Sequence, residues 1–177
     1  MKRISILFIV GAVLVSILDS FHTHGGVAYY THPHFFKISI WSPFILGGAT
    51  VVIGVTHYKF HPFIKHLKPA LFVSLICFVA AYWVTAFVKV SNAQISLTIL
   101  ALYLIAWGSF DRTWQSLVLA LATAIAGSIA EGLLGINQFF IYLRPDLFHV
   151  PVWLPLLYAT ASEAGGNLGR LILAEKC

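Results

Sequence analysis

The stretch LYLIAWGSFDRTWQSLVLALA, Leu102 to Ala122, decides the fold. Asp111 and Arg112 stand side by side in it, with a long apolar run on either hand. A helix needs about 20 apolar residues, at a rise of about 1.5 Å each, to cross the hydrocarbon core of a bilayer. Each run approaches that length, so the charged pair marks a turn between two membrane-crossing helices.

The rest of the chain follows the same plan. Of 177 residues, 59% are hydrophobic and only 10% charged, against roughly 25% charged in soluble domains. Apolar segments over about 4–20, 39–57, 69–88, 94–110, 114–134 and 153–173 predict an all-α membrane protein, a single six-transmembrane-helix bundle over 1–177. The opening MKRISILFIVGAVLVSIL has the charged head and apolar body of a signal peptide, but no small-residue cleavage site follows. It reads as an uncleaved first span. No linker, soluble domain or internal repeat is expected.

Six spans place both termini on one side. With the N-terminus inside, that side receives Lys2, Arg3, Lys59, Lys65, Lys68, Arg112, Arg170 and Lys176, and the outer side Lys37, Lys89 and Arg144. Positively charged residues favour the cytoplasmic side, which predicts N-in, C-in. The net charge of +5 therefore speaks to topology, and no basic run points to nucleic acid. Cys77 and Cys177 have no CxxC spacing, so neither a disulfide framework nor a structural zinc site is indicated.

Small residues recur at four-residue spacing in the last two spans: Ala122, Ala126 and Ala130, then Ser162 with Gly166 and Gly165 with Gly169. Such stripes let helix backbones approach closely in lipid. They mark either ordinary helix contacts or a close pair beside a cavity. Pro43, Pro69 and Pro155 sit near helix starts, where a missing N–H costs little.

Three clusters hold chemistry. At the Asp111-Arg112 turn, Asp111 either caps the fifth helix while Arg112 faces anionic lipid, or the pair docks a partner. Glu131 and Glu163 lie inside predicted spans, where an ionised acid costs about 2.5–3.5 kcal/mol on insertion scales and so faces a partner or a cavity. Glu131 is close enough to the outer end to reach the interface. Glu163 is a hydrogen-bond donor to a neighbouring helix, a pocket residue for a headgroup, or a proton relay. In the outer loop, His22, His24, His32 and His34 form two HxH pairs among tyrosines and phenylalanines. They make an interfacial aromatic loop, a zinc or copper site, or a pH-responsive element.

Residues QISLTILALYLIAWGSFDRTWQS, then RPDLFHVPVWLP and GGNLGRLILAEKC, resemble the insulin-induced gene (Insig) family. The carrying positions are Gln94, Ser96, Leu97, Thr98, Trp107, Phe110, Asp111 and Arg112, then Pro145, Asp146, Trp153, Leu154, Pro155, Gly166, Asn167, Gly169 and Arg170. The resemblance covers roughly residues 40–173. It implies a non-enzymatic regulator without cofactors that binds a sterol, resides in the endoplasmic reticulum in eukaryotes, and engages a membrane-protein partner through the turn holding Asp111. It also implies that Gln94, Thr98 and Trp107 line the lipid-binding side. Glu131, Glu163, the histidine loop and the bare termini depart from the family pattern. They point to a compact prokaryotic homologue in the cell membrane, with a diacylglycerol-like lipid as the alternative to a sterol. The expected ligand-binding set is Gln94, Thr98, Trp107, Asn137, Glu163 and Glu131; Asp111 and Arg112 are the expected partner contacts, and the small-residue stripes permit a homo-oligomer. The competing expectation is a small transporter or metal-handling protein built on the outer histidines and Glu131.

Overall fold

The structure, a computed structural model, describes residues 1–174; Lys176 and Cys177 lie outside the described residues. Six helices follow one another: α1 Lys2–His24, α2 Ser42–Phe60, α3 Leu67–Phe87, α4 Asn92–Phe110, α5 Trp114–Ile136 and α6 Leu154–Ala174. Two short strands, β1 Ala28–Tyr30 and β2 Phe140–Tyr142, pair antiparallel outside the helices.

Local chemistry sets the helix ends. Ser91 and Gln94 form a reciprocal capping box at the start of α4, which satisfies two otherwise unpaired backbone donors. Thr113, not Asp111, caps α5, its hydroxyl accepting from the Ser116 N–H at 3.3 Å. Arg112 turns the chain with φ +53°.

Among the described residues, four helices are long and apolar enough to cross a membrane: α1, α3, α4 and α5. α6 has a different neighbour: it touches all five other helices, so protein rather than lipid covers its polar side chains. The α2–α6 crossing is backbone on backbone: a Cβ at Gly169 would lie 2.3 Å from the Gly54 Cα. The Gly165/Gly169 stripe is therefore a close helix pair beside a cavity, described below. Arg3 Nη1 donates to the Leu173 carbonyl at 3.0 Å, which brings both ends of the described chain to one end of the bundle.

The fold is also duplicated, a correction to the sequence reading. α1, β1 and α2 begin at residues 2, 28 and 42; α5, β2 and α6 begin at 114, 140 and 154, each 112 positions later. Details recur at the same offset. Phe36 and Lys37 have positive φ, as do Phe148 and His149. Isolated bridges join Phe35 to Ile38 and Leu147 to Val150. The strand register centres on Tyr29–Ile141, as a local twofold axis requires. Both halves start at the same end of the bundle, so they are parallel repeats about an axis along it, with α3 and α4 inserted between them.

Candidate functional site

A cavity of about 420 Å³ lies between α1, α2, α3, α5 and α6. On α2 its wall runs from Ile45 to His57, roughly 18 Å of helix at 1.5 Å per residue. Ile45 and Val52 on α2, with Ala122, Ala126 and Ala130 on α5, line the cavity yet stay exposed. It therefore opens sideways between these two helices. The alanine stripe of α5 forms this mouth, while Gly165 of α6 lies at the back.

The walls are mainly aliphatic and aromatic; Thr50, Thr56, Thr123 and His57 also line them, and Glu131 is the carboxylate among them. Glu131 lines the cavity at the strand end, where Tyr142 Oη donates to its Oε2 and Tyr158 Oη to its Oε1, both at 2.5 Å. The Glu131–Tyr142 pair repeats in the first half as Asp19–Tyr30, also 2.5 Å, with Ser42 Oγ 2.9 Å from the same phenol. Burial and the neighbouring carboxylates push both strand phenols, Tyr30 and Tyr142, well above their usual range. They remain neutral donors.

At the terminal end a second polar assembly closes the bundle. Arg170 is fully buried, not interfacial, and its guanidinium ties three elements together. It donates to the His61 carbonyl (2.7 Å), Asn167 Oδ1 (2.7 Å) and His57 Nδ1 (3.0 Å). Since Arg only donates, His57 carries its proton on Nε2 and gives it to Ser162 Oγ, 2.9 Å away. Asn167 reaches Ser74 on α3 at 3.1 Å. Asp111 belongs here: its Oδ2 lies 3.5 Å from Arg170, and its Oδ1 accepts from His61 Nε2 (2.9 Å) and Thr113 Oγ1 (2.5 Å). The Asp111 side chain is 2% exposed. It turns away from Arg112, whose side chain is exposed and folds back onto the Gly108 carbonyl.

The expected site residues separate into groups. Glu131 lines the cavity. Gln94 and Thr98 are exposed on α4, which contributes nothing to the cavity wall; Gln94 caps its helix and Thr98 bonds back to the Gln94 carbonyl. Trp107 packs against Tyr103, Ala120 and Ala159, with its indole N–H on the Thr113 carbonyl at 3.2 Å. Asn137 ends α5 and bonds the Leu133 carbonyl at 2.8 Å. Glu163 is buried on another face of α6, taking a hydrogen bond from Ser116 Oγ at 2.6 Å while Oε2 has no partner among the described residues. Tyr142, Tyr158, His57 and the burial of Arg170 went unforeseen; a tyrosine at fixed offset from each acid was the available signal.

The outer histidines do not converge. His22 is buried, stacked on Tyr82 at 4.8 Å and hydrogen-bonded to Thr85 at 2.8 Å, whereas His32 and His34 are exposed. Among the described residues no group of three or more His, Cys, Asp or Glu side chains is placed to hold a metal ion.

No protein-family model matches the chain. Zebrafish insulin-induced gene 1 protein is 30% identical over 179 residues, an alignment covering 96% of this chain and 71% of the relative. The chain belongs to the Insig family. Human insulin-induced gene 1 protein is 27% identical over 184 residues, covering 96% of this chain but 65% of the human protein, so the chain spans about two thirds of the length of these relatives. The crystal structure of a mycobacterial Insig homolog, MvINS from Mycobacterium vanbaalenii, superposes with a TM-score of 0.89 at 22% identity, over 100% of this chain and 97% of that one. A cross-linked MvINS trimer matches equally well. The six-helix arrangement described above is thus the Insig fold. With four helices apolar enough to cross a bilayer, this Insig-family chain is an integral membrane protein.

Proposed function

We propose that this Insig-family protein is a non-catalytic membrane regulator that holds one lipid molecule in the cavity between α2, α5 and α6. All six helices span the membrane, with the termini on the cytoplasmic side. The exposed and interfacial cations support this orientation: Lys2, Arg3, Lys59, Lys65, Lys68 and Arg112 lie toward the terminal end, and Lys37, Lys89 and Arg144 toward the strand end.

The observation that carries the reading is a large apolar cavity, open to the side, with one acid in its wall. Its volume falls in the range of about 300–1,000 Å³ typical of small-molecule sites. Each Glu131 oxygen already accepts one phenol and keeps a further lone pair. That arrangement suits a neutral lipid bearing one or two hydroxyl donors, a sterol or a diacylglycerol. Acyl chains or rings would lie along Ile53, Ala126 and Gly165. Of the other expected ligand residues, Gln94, Thr98, Trp107, Asn137 and Glu163 support the helices rather than touch the ligand. Asp111 shapes the α4–α5 turn from inside and leaves Arg112 and Trp114 exposed to a membrane-protein partner; the outer face of α4 is free for self-association.

Lipid mass spectrometry on protein purified in mild detergent tests the reading. One hydroxyl-bearing neutral lipid class is expected with the wild type, reduced in Glu131→Gln and unchanged in Glu163→Gln. No enrichment of any lipid in the wild type, or equal retention by both variants, would refute it.

A further inference from the structure

The two repeats differ at the turn after their first helix, and in the first repeat a crevice lies beside that turn. At the strand end, the turn after α1, the α3–α4 link and the chain entering α6 meet around a space of about 180 Å³, lined by Gly26, Thr85, Lys89, Asn92, Arg144 and Trp153 among others. In the other repeat the corresponding turn carries larger residues. Gln138 stands where this half has Gly26, and its carbonyl accepts from Thr31 Oγ1. Phe139 replaces Val27 and packs edge-on against Trp41, the counterpart of Trp153, at 6.4 Å. Gly26, at φ +67°, has open space where a Cβ would stand.

Charge is concentrated in the open crevice. Two of the three Lys and Arg side chains at this end of the bundle, Lys89 and Arg144, line it. Lys89 Nζ gives one hydrogen bond to the Gly25 carbonyl at 3.0 Å, which leaves two N–H donors. Among the described residues Arg144 makes no hydrogen bond or ion pair, and the buried indole of Trp153 forms part of the crevice wall. The nearby carboxylate of Asp146 is already engaged, its Oδ2 accepting from Asn92 Nδ2 (2.7 Å) and the Val152 N–H (2.8 Å).

We propose that this crevice binds an anionic phosphate group at the depth of the outer lipid headgroups. Lys89 and Arg144 supply charge-assisted donors, Arg144 through its two-pronged guanidinium. Val88, Val90 and Pro151 provide an apolar wall for the glycerol of a phospholipid. The site is separate from the large cavity and does not involve Glu131.

Full-length protein in detergent would be titrated with dihexanoyl-phosphatidylglycerol, and with inorganic phosphate in a parallel arm, while the melting temperature is followed. The wild type is expected to show a saturable rise with the short-chain lipid. Lys89→Gln/Arg144→Gln should weaken its apparent affinity about tenfold or more, since hydrogen bonds to charged groups are the strong ones. Gly26→Gln, which restores the side chain of the other repeat, should do the same by filling the space. Glu163→Gln, at a residue that lines neither space, should respond as the wild type. A phosphate arm that reproduces the rise supports the site with a free anion as its ligand; a rise with the lipid alone supports a headgroup. No saturable rise in either arm, or an unchanged response in Lys89→Gln/Arg144→Gln, overturns the proposal.

Discussion

Replacing Arg170 by methionine tests whether the terminal-end assembly holds the bundle closed. The substitution keeps much of the side-chain volume and removes the guanidinium. It strands two buried acceptors, Asn167 Oδ1 and His57 Nδ1, and the part-buried His61 carbonyl. Each unsatisfied group costs about 1–3 kcal/mol. It also leaves the Asp111 carboxylate, 2% exposed, without its cation, and breaking a buried pair costs about 3–5 kcal/mol. Neighbouring losses overlap rather than add, so the expected destabilisation is about 4–6 kcal/mol. At about 2–4 °C per kcal/mol for a chain of this size, the melting temperature should fall by about 8 °C or more. Thermal unfolding in detergent, followed by intrinsic fluorescence, measures it. Arg170→Lys keeps the charge but not the planar fork, and should recover part of the loss. In a double-mutant cycle with Asp111→Asn the two substitutions should couple by more than about 1 kcal/mol. A fall of less than about 2 °C in Arg170→Met, or strict additivity in the cycle, would show that the contacts contribute little and that Asp111 acts in some other way.

Other outcomes follow from single contacts. Gly169→Leu should destabilise the protein by several kcal/mol, since a side chain cannot enter a crossing where a Cβ already meets the Gly54 backbone at 2.3 Å; loss of the monodisperse peak on size exclusion would report it. Tyr30 and Tyr142 have phenol pKa values raised above the ordinary 10.0, by burial first and then by Asp19 or Glu131. Their contribution is complete below the unfolded value and is lost as pH rises beyond it. Melting temperature should therefore drop steeply above about pH 10, and less steeply in Tyr30→Phe/Tyr142→Phe. Glu163→Gln should shift stability by only about 1 kcal/mol, because Gln can still accept from Ser116; a large loss of retained lipid in that variant would contradict its position outside the cavity.

The membrane class, the helix positions and the turn at Asp111 were legible because apolar runs and their polar interruptions are written directly in the chain. Which way each polar residue faces was not. Gln94 and Thr98 read as ligand contacts, yet they lie on α4, and an apolar helix with little amphipathic contrast does not announce its inward face. Asp111 and Arg112 are adjacent in sequence, but φ +53° at Arg112 sends their side chains apart, so the partners of Asp111 come from α6 and the end of α2. Glu163 is buried on α6; that it bonds Ser116 of α5 rather than lining the cavity depends on a helix face set by packing. The duplication was present in HPHFFKISIWSP and RPDLFHVPVWLP, where Pro33/Pro145, Phe36/Phe148, Trp41/Trp153 and Pro43/Pro155 recur at one offset. Few side chains survive around them because the repeated feature is a backbone turn, which many sequences support.

Photolabelling locates the bound lipid most directly. Diazirine analogues of a diacylglycerol and of a sterol would be incubated with the protein in nanodiscs and activated, and the labelled peptides sequenced by mass spectrometry. Labels competed by unmodified lipid are expected on the cavity wall, at Ile53 of α2, Ala126 of α5 and Gly165 of α6, and reduced in Glu131→Gln. Labels that resist competition and fall evenly on the lipid-facing surface, including Leu97 and Leu104 of α4, would mean that no lipid occupies the cavity.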